Sequence, residues 1–272
     1  MSDRDEASVS FIGNATTLIR YNGFTILTDP NFLHRGQRAY LGYGLSTRRL
    51  TEPALSVDRL PPLDAVLLSH MHGDHWDRVA RRGLDKGLPV VTTPHAARKL
   101  RRQGFGEAVG LTTWRDHELR GPGGSVKITS LPARHGPGVM NALMPPVMGS
   151  MLEFTDPGGL VSLRLHVSGD TLMGRELDAI PRRFPDIDVG IVHLGGTKLL
   201  GMVMVTMDGR QGADWVTMIN PRRVLPVHYD DYGVFSSPLS DFREEVERDG
   251  NGARVVYLAR GESHPLPGPA QR

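Results

Sequence analysis

Apolar and polar positions alternate with a period of two at the head of the chain. The runs Ser8-Val9-Ser10-Phe11-Ile12, Thr16-Thr17-Leu18-Ile19-Arg20-Tyr21 and Phe24-Thr25-Ile26-Leu27-Thr28 are rich in β-branched and aromatic residues and are divided by Gly-Asn and by Asn22-Gly23. Asn-Gly between two such runs is a hairpin signal, so the chain is expected to open as an antiparallel meander. From Asp29-Pro30 to Pro61-Pro62 the alternation lapses among Gly36, Gly42, Gly44, Pro53 and several arginines. An irregular segment this long inside a compact domain is usually functional or disordered, and a loop flanking the active site is the reading adopted.

The pattern resumes with Asp64-Ala65-Val66-Leu67-Leu68, a short buried strand, followed by a helix over 76–82. A strand is expected over 88–92 and a helix from Pro94 to Arg102, where proline suits a first turn. Further strands are predicted at 109–114, 125–131, 148–155 and 160–167, with glycine-rich breaks at 121–124 and 158–159. The later half alternates: helix 172–183, strand 187–192, helix 209–219, strand 222–227, helix 239–248 and a closing strand at 253–258. Strands first and alternation later predict two sheets packed together with helices outside. No repeat or linker divides the chain, so one domain over 8–262 is expected, with flexible ends at 1–7, which are polar, and at 263–272, which are proline-rich.

Composition narrows this picture. With 39% hydrophobic and 23% charged residues, a chain of 272 residues is ordinary for a soluble protein with a sizeable core. Cysteine is absent, which excludes disulfides and thiolate ligands, so any metal must be held by His, carboxylate and water. No basic-plus-apolar signal opens the chain and no apolar run approaches the roughly 20 residues of a membrane span, so the cytoplasm is the expected compartment. Net charge is +2, the arginine pairs at 48–49, 81–82, 101–102, 182–183 and 222–223 are scattered, and aromatics are 6%. That distribution disfavours nucleic acid as a partner.

The candidate chemistry is concentrated in Ser69-His70-Met71-His72-Gly73-Asp74-His75, directly after the strand at 64–68. Side chains two apart in an extended chain point the same way, so His70 and His72 can reach one cation together. Gly73 permits a tight turn that leaves Asp74 and His75 near the first turn of the next helix. Four candidate ligands then fan from one strand-to-helix junction, a layout suited to two adjacent metals, although a solvated histidine-rich loop has the same composition. Imidazole with carboxylate suits zinc, iron or manganese. His135, Asp170 and His228 each stand where an apolar strand gives way to loop, the position from which a rigid fold can gather ligands around an open mouth.

His70-Met71-His72-Gly73-Asp74-His75, then His135, Ser168-Gly169-Asp170-Thr171 and Val227-His228 together resemble the metallo-β-lactamase superfamily of metal-dependent hydrolases. The resemblance spans nearly the whole chain and implies an α/β fold, a four-layer αββα sandwich of two mixed β-sheets with helices on the outer faces. It also implies ligand roles: His70, His72 and His135 for a first metal; Asp74, His75 and His228 for a second; Asp170 bridging both. The implied cofactors are two divalent ions, zinc first, with manganese or iron as alternatives. Two such ions activate a shared water for attack on an ester, lactone or phosphoester, and Asp74 is the group to handle its proton. Asp29 resembles the carboxylate that supports a ligating histidine, its alternative being a turn-forming Asp-Pro. Within the superfamily, Leu27-Thr28-Asp29-Pro30 and Val205-Thr206-Met207-Asp208 resemble the branch of ascorbate-6-phosphate lactonase and of the phospholipase D that cleaves N-acyl ethanolamine phospholipids. Asn14 departs from the Gly-His that the phospholipase-like group carries there.

His34, His95, His117, His166, His193 and His264 have no place in that seven-residue pattern. His193, at a strand end, is carried as a second catalytic candidate beside Asp74, either touching substrate or donating a proton, against the alternative of a hydrogen-bonded structural histidine. Lys198 and Tyr232 are weaker candidates of the same kind, and Arg134 is a candidate anion binder. Met140, Met144, Met148 and Met151, and again Met202, Met204 and Met207, are expected as core filler, with at least one segment walling a small-molecule cleft. The competing functions are a nuclease or phosphodiesterase acting on nucleic acid, an iron-dependent oxidoreductase of the same fold, and a non-catalytic metal binder. A homo-oligomer stays open.

Overall fold

The opening hairpins form as the alternation predicts. In the structure, a computed structural model that describes residues 7–199 and 201–268, β1 (Ser8–Gly13), β2 (Thr16–Tyr21) and β3 (Phe24–Thr28) run antiparallel. Asn22 and Gly23 turn the chain at φ 48° and 77°, the left-handed region that Asn and Gly tolerate. Period two then sorts the side chains: Ile19 and Ile26 enter one apolar cluster, Leu18 and Leu27 another on the opposite face.

The segment expected to be irregular contains a hairpin that the pattern does not show, β4 (Arg38–Gly42) with β5 (Leu45–Arg48). Most of its residues are at least partly exposed and only Ala39 and Thr47 are buried, so no apolar alternation marks it. Then β6 (Ala65–Leu67), β7 (Val90–Thr92) and β8 (Ala108–Gly110) add in parallel to β3, with α1 (Arg78–Gly83) and α2 (Pro94–Arg102) in the crossovers. Capping sets the helix starts: Asp77 accepts from Val79 and Ala80 N–H, and Thr93 from Ala96 N–H, ahead of Pro94. Asp74 and His75 therefore lie ahead of α1, in a turn closed by His75 and Trp76 N–H donating to His72 O.

The second sheet repeats this plan. β9 (Asp116–Gly121), β10 (Gly124–Leu131), β11 (Gly149–Thr155) and β12 (Val161–Val167) form an antiparallel meander, and β13 (Val189–His193) and β16 (Arg223–Val227) extend it in parallel. Between these last two lies a small hairpin, β14 (Lys198–Leu199) and β15 (Val203–Met204). β9 escapes the sequence pattern because it is an edge strand, Asp-His-Glu-Leu-Arg-Gly, whose charges keep other chains from pairing with it.

The two sheets face each other across one core that joins Val9, Phe11 and Ile26 to Ile128, Leu152 and Ile191. Outside the first sheet, Ala80, Ala96, Ala97 and Leu100 of α1 and α2 pack on Val66, Leu68 and Val90. Outside the second, α3 (Ala179–Arg183), α4 (Gly209–Ile219) and α5 (Leu239–Arg248) bury Ile180, Trp215, Val216 and Phe242. The order is helix, sheet, sheet, helix, the expected αββα sandwich of two mixed sheets. Gly190 allows it locally: a Cβ there would meet Trp215 Cη2 at 2.7 Å. Truncating a fully buried tryptophan such as Trp215 costs about 3–5 kcal/mol.

Three expectations are corrected. The helix predicted over 172–183 is a 3-10 turn, Arg175–Asp178, running into the short α3. Its first residues are held elsewhere, because Leu172 N–H donates to Arg134 O and Met173 N–H to Gln211 Oε1. The strand predicted at 253–258 reduces to a 3-10 turn, Gly252–Arg254, and a single bridge between Val224 and Val255. The closing strand is β17 (Ser263–Pro265), inside the end expected to be flexible; it pairs with β1, and Leu266 N–H donates to Ala7 O. An open β1 edge needs partners for its backbone groups, and proline is tolerated on an edge strand. The rest of the predicted flexible ends, 1–6 and 269–272, lies outside the described residues.

Candidate metal centre

The seven residues expected as ligands come from the ends of strands in both sheets and meet at one place. Beyond β6, the extended chain turns His70 and His72 inward, and β10 delivers His135 opposite them. His72 Nδ1 lies 2.9 Å from His70 Nε2 and 3.1 Å from His135 Nε2. Three ring nitrogens this close cannot all carry protons. A second group forms beside the first: His228 Nε2 is 3.2 Å from His75 Nε2 and 3.4 Å from Asp74 Oδ2. Asp170 lies between the two, its Oδ2 3.2 Å from His75 Nε2 and 3.9 Å from His70 Nε2. All seven side chains are buried.

The surroundings fix which nitrogen is free. His135 Nδ1 is 2.9 Å from Val205 O and His228 Nδ1 is 3.2 Å from Leu194 O. Each Nδ1–H donates to its carbonyl, which turns Nε2 toward the site. Asp29 is not a mere turn residue. Its Oδ1 accepts from Ser69 N–H and Ser69 Oγ–H at 2.8 and 2.9 Å, and its Oδ2 lies 3.4 Å behind His75 Nδ1.

The electrostatics divide the histidines. Burial, then the neighbouring imidazoles, holds His70 well below its ordinary pKa, and burial with His135 takes His72 to about 3. These rings stay neutral, the form that binds a cation. Burial alone would depress His75 too, but the carboxylates of Asp170, Asp74 and Asp29 outweigh it and raise His75 well above the usual range. Asp170 is held well below the carboxylate range against burial by His228 and His75. One buried oxygen of Asp74 and one of Asp170, both Oδ1, have no hydrogen-bond partner. Neutral imidazoles at His70, His72 and His135, ionised carboxylates and orphaned oxygens, with no thiolate, make a donor set that fits borderline-hard divalent ions, and His75 and His228, raised by the carboxylates around them, would give up a proton to such an ion.

Asn14, which sequence alone marked only as a departure, ties the second group together. It sits at φ 53°, donates from Nδ2 to Asp74 O at 2.7 Å, accepts from His228 N–H at 2.9 Å, and donates its own N–H to Asp231 Oδ2 at 2.7 Å. Arg49 and Asn31 continue this network beneath the site: Arg49 donates to Asn31 O at 2.9 Å and pairs with Asp231 at 3.4 Å.

A cleft of about 440 Å³ opens above His72, Asp74, His135 and Asp170. Leu41 and Leu45 to Arg48 from the β4–β5 hairpin, Met144, Leu199, Val205 and Val234 wall it, with Thr47, Thr197 and Thr206 among them and Lys198 at its exposed edge. The long loop thus flanks the candidate site, and of the two methionine segments the first supplies Met144 while the second contributes Val205 and Thr206 in place of a methionine. Three other expectations fail on geometry. His193 is wholly buried behind His75, with Nδ1 3.1 Å from Ser168 Oγ and Nε2 3.4 Å from Asp29 Oδ2, so it cannot touch substrate. Tyr232 is equally buried and donates to Asn31 Oδ1. Arg134 turns away from the cleft to Glu176 and Met173 O.

A family description, "Beta-lactamase superfamily domain", matches residues 25–229, which contain all seven of these residues. The chain belongs to the metallo-β-lactamase superfamily. Metal-dependent hydrolase is its class within that superfamily, by relatives that carry this name. One, from Deinococcus radiodurans, is 30% identical over 195 residues, 71% of this chain and 76% of its own length. Another, from Pelotomaculum thermopropionicum, is 30% identical over 208 residues, 75% of this chain and 82% of its own. Among solved structures, a "possible metal-dependent hydrolase" from Veillonella parvula superposes with TM-score 0.81 at 23% identity, covering 96% of this chain and 100% of the other. An isothiocyanate hydrolase from Delia radicum gut bacteria gives TM-score 0.78 at 21% identity, covering 95% and 98%. At those identities the two structures speak for the shared superfamily fold alone.

Proposed function

We propose that this hydrolase holds two divalent cations, zinc first, and cleaves an ester, lactone or phosphoester bond in a small molecule with an apolar portion. The observation that carries the reading is the pair of ligand groups, His70/His72/His135 and Asp74/His75/His228, sharing Asp170 at the floor of an open cleft. When bound there, two such ions supply Lewis acidity toward a scissile carbonyl or phosphoryl group and acidify water. The chain's own residues do the rest. Asp74, whose Oδ1 has no partner, accepts the proton of the attacking water and holds it within the cleft. Asp29 and Ser69 orient His75, and His193 braces Asp29 from behind, a positioning role. The walls of Leu41, Leu45, Met144, Val205 and Val234 exclude water and favour an apolar substituent over a bare sugar phosphate.

The test is metal analysis of protein purified without chelator, followed by turnover on a panel of lactones, carboxylic esters and phosphoesters. An isothiocyanate joins the panel because a structural neighbour bears that substrate's name. Met144→Ser should lower kcat/KM for long acyl chains more than for short ones, by about 1–3 kcal/mol for a well-buried contact. Equal losses on both chain lengths, or one tightly bound metal per active chain, would overturn the corresponding part of the reading.

A further inference from the structure

The β4–β5 hairpin has two sides, and the second faces another cavity. On the cleft side it presents Leu41 and Leu45 to Arg48; on the other, Arg38, Ala39 and Tyr40 wall a depression of about 360 Å³. Arg78 and Arg81 from the α1 side and Lys99 and Gln103 from the α2 side enclose it, and its floor includes Met71, Gly73 and Trp76. Met71 and Gly73 alternate along the chain with His70, His72 and Asp74, so this floor is the reverse face of the ligand loop. A shallower depression adjoins it, sharing Arg81 and Gln103 and adding Arg82, Lys86 and Arg102.

Seven cationic side chains therefore border one concave surface on a chain whose net charge is only +2. Arginine pairs 81–82 and 101–102, far apart in sequence, each contribute. Among the described residues none of the seven forms an ion pair with a carboxylate. The single carboxylate lining either depression, Asp77, is buried, and its two oxygens are already taken by N–H donors of Phe32, Leu33, Val79 and Ala80. Trp76 Nε1 donates to Gln103 Oε1 at 2.9 Å, so the Gln103 amide, which lines both depressions, keeps its Nε2 donor to offer a ligand. Cations gathered without counter-charges raise one another's free energy, and an anion relieves this. The enclosure, and the apolar and aromatic surfaces of Met71, Tyr40 and Trp76, suit a compact ligand better than a polymer laid across a flat face.

We propose that this basic pocket binds a small anion bearing two or more phosphate groups, and that its occupation is coupled to the metal cleft through the shared hairpin. Gly73 makes the coupling close. Its N–H donates to Tyr40 O at 2.9 Å, and a Cβ on it would meet Tyr40 N and O at 2.7 Å, so hairpin and ligand loop move together. A ligand drawing Arg38 and Tyr40 toward Arg78 and Lys99 steadies the wall that substrate meets on the other side, and by linkage substrate steadies the pocket.

Pyrophosphate titrated calorimetrically into the metal-loaded protein at low salt tests this, with hydrogen exchange followed over residues 38–48. Saturable binding is expected, weakened about tenfold or more in Arg78→Ala/Lys99→Ala and unchanged in Arg248→Ala on α5, together with slower exchange in the hairpin of the wild-type chain. Both variants alter only exposed side chains, and their circular dichroism and melting should match wild type. Equal pyrophosphate affinity in the double variant would place the anion at the metals and overturn the proposal. Binding without any change in hairpin exchange would overturn the coupling. Tight binding of an RNA oligonucleotide with none of pyrophosphate would make the surface a nucleic-acid interface instead.

Discussion

Replacing Asn14 should loosen one half of the metal centre and spare the other. Its Nδ2 donates at 2.7 Å to the buried carbonyl of Asp74, and its own carbonyl accepts from His228 N–H, so two members of the second ligand group hang from one residue. Asn14→Gly keeps the backbone at φ 53° without strain and removes only the side-chain donor. Leaving a buried carbonyl unpaired costs about 1–3 kcal/mol. Asn14→Ala loses the same bond and adds about 1–2 kcal/mol for an alanine in the left-handed region. Urea unfolding of the chelated protein should therefore rank wild type, Gly and Ala in that order, with the Gly-to-Ala step near the backbone penalty. Metal titration should show the ion held by Asp74, His75 and His228 weakened by roughly 10–100-fold, as for other groups that orient ligands, while the ion held by His70, His72 and His135 keeps its affinity. Wild-type stability and undiminished binding of both ions in Asn14→Gly would refute the keystone role.

Three further outcomes follow from the geometry. Asp170→Ala should abolish turnover while the three-imidazole group still retains one ion, measured as metal per chain against kcat; near-normal activity would exclude a bridging carboxylate. Asp77→Ala leaves the N–H groups of Phe32, Leu33, Val79 and Ala80 without their acceptor, so chemical denaturation should show a loss of about 3 kcal/mol or more with the start of α1 frayed. His166, buried against Trp215, has its pKa lowered to about 3. Below pH 6.5 the unfolded chain takes up a proton that the folded one refuses, so this residue withdraws about 1.4 kcal/mol per pH unit as pH falls from 6.5 toward 3. The stability of His166→Leu should decline less steeply than wild type between pH 6.5 and 5, and parallel curves would show that the ring is not held neutral.

The convergence of the candidate ligands was legible because their chemistry and position coincide: titratable side chains stand where apolar strands end, and period two aims His70 and His72 the same way. Helices α2, α4 and α5 were legible for similar local reasons, proline and caps at their starts and a repeating apolar face. What escaped depends on partners distant in sequence. β9 and β17 are strands only because a sheet edge accepts them, and β4–β5 carries too few buried residues to register. Asn14 acts through backbone groups of Asp74 and His228, which no composition reveals. His193 and Arg134 were misjudged for the same reason; a strand-end histidine points at substrate or away from it according to whether Asp29 and Ser168 are waiting, and Glu176 claims the arginine. The basic pocket inverts the case, since arginine pairs scattered along the chain share one surface once α1 and α2 lie on the same face of the first sheet.

Every candidate ligand group in the centre draws from both sheets. His70 and His72 follow β6 of the first, His135 follows β10 of the second; Asp74 and His75 meet His228; His70 and His75 meet Asp170. On the proposed assignment neither sheet alone supplies a complete coordination set. Residues up to Gly110 supply most of the first sheet, and the proposed centre would be complete only once the second sheet packs on it. On the proposed ligand set, a chain that has built only its first layer lacks His135, Asp170 and His228, so metal-dependent turnover would report that both sheets have come together.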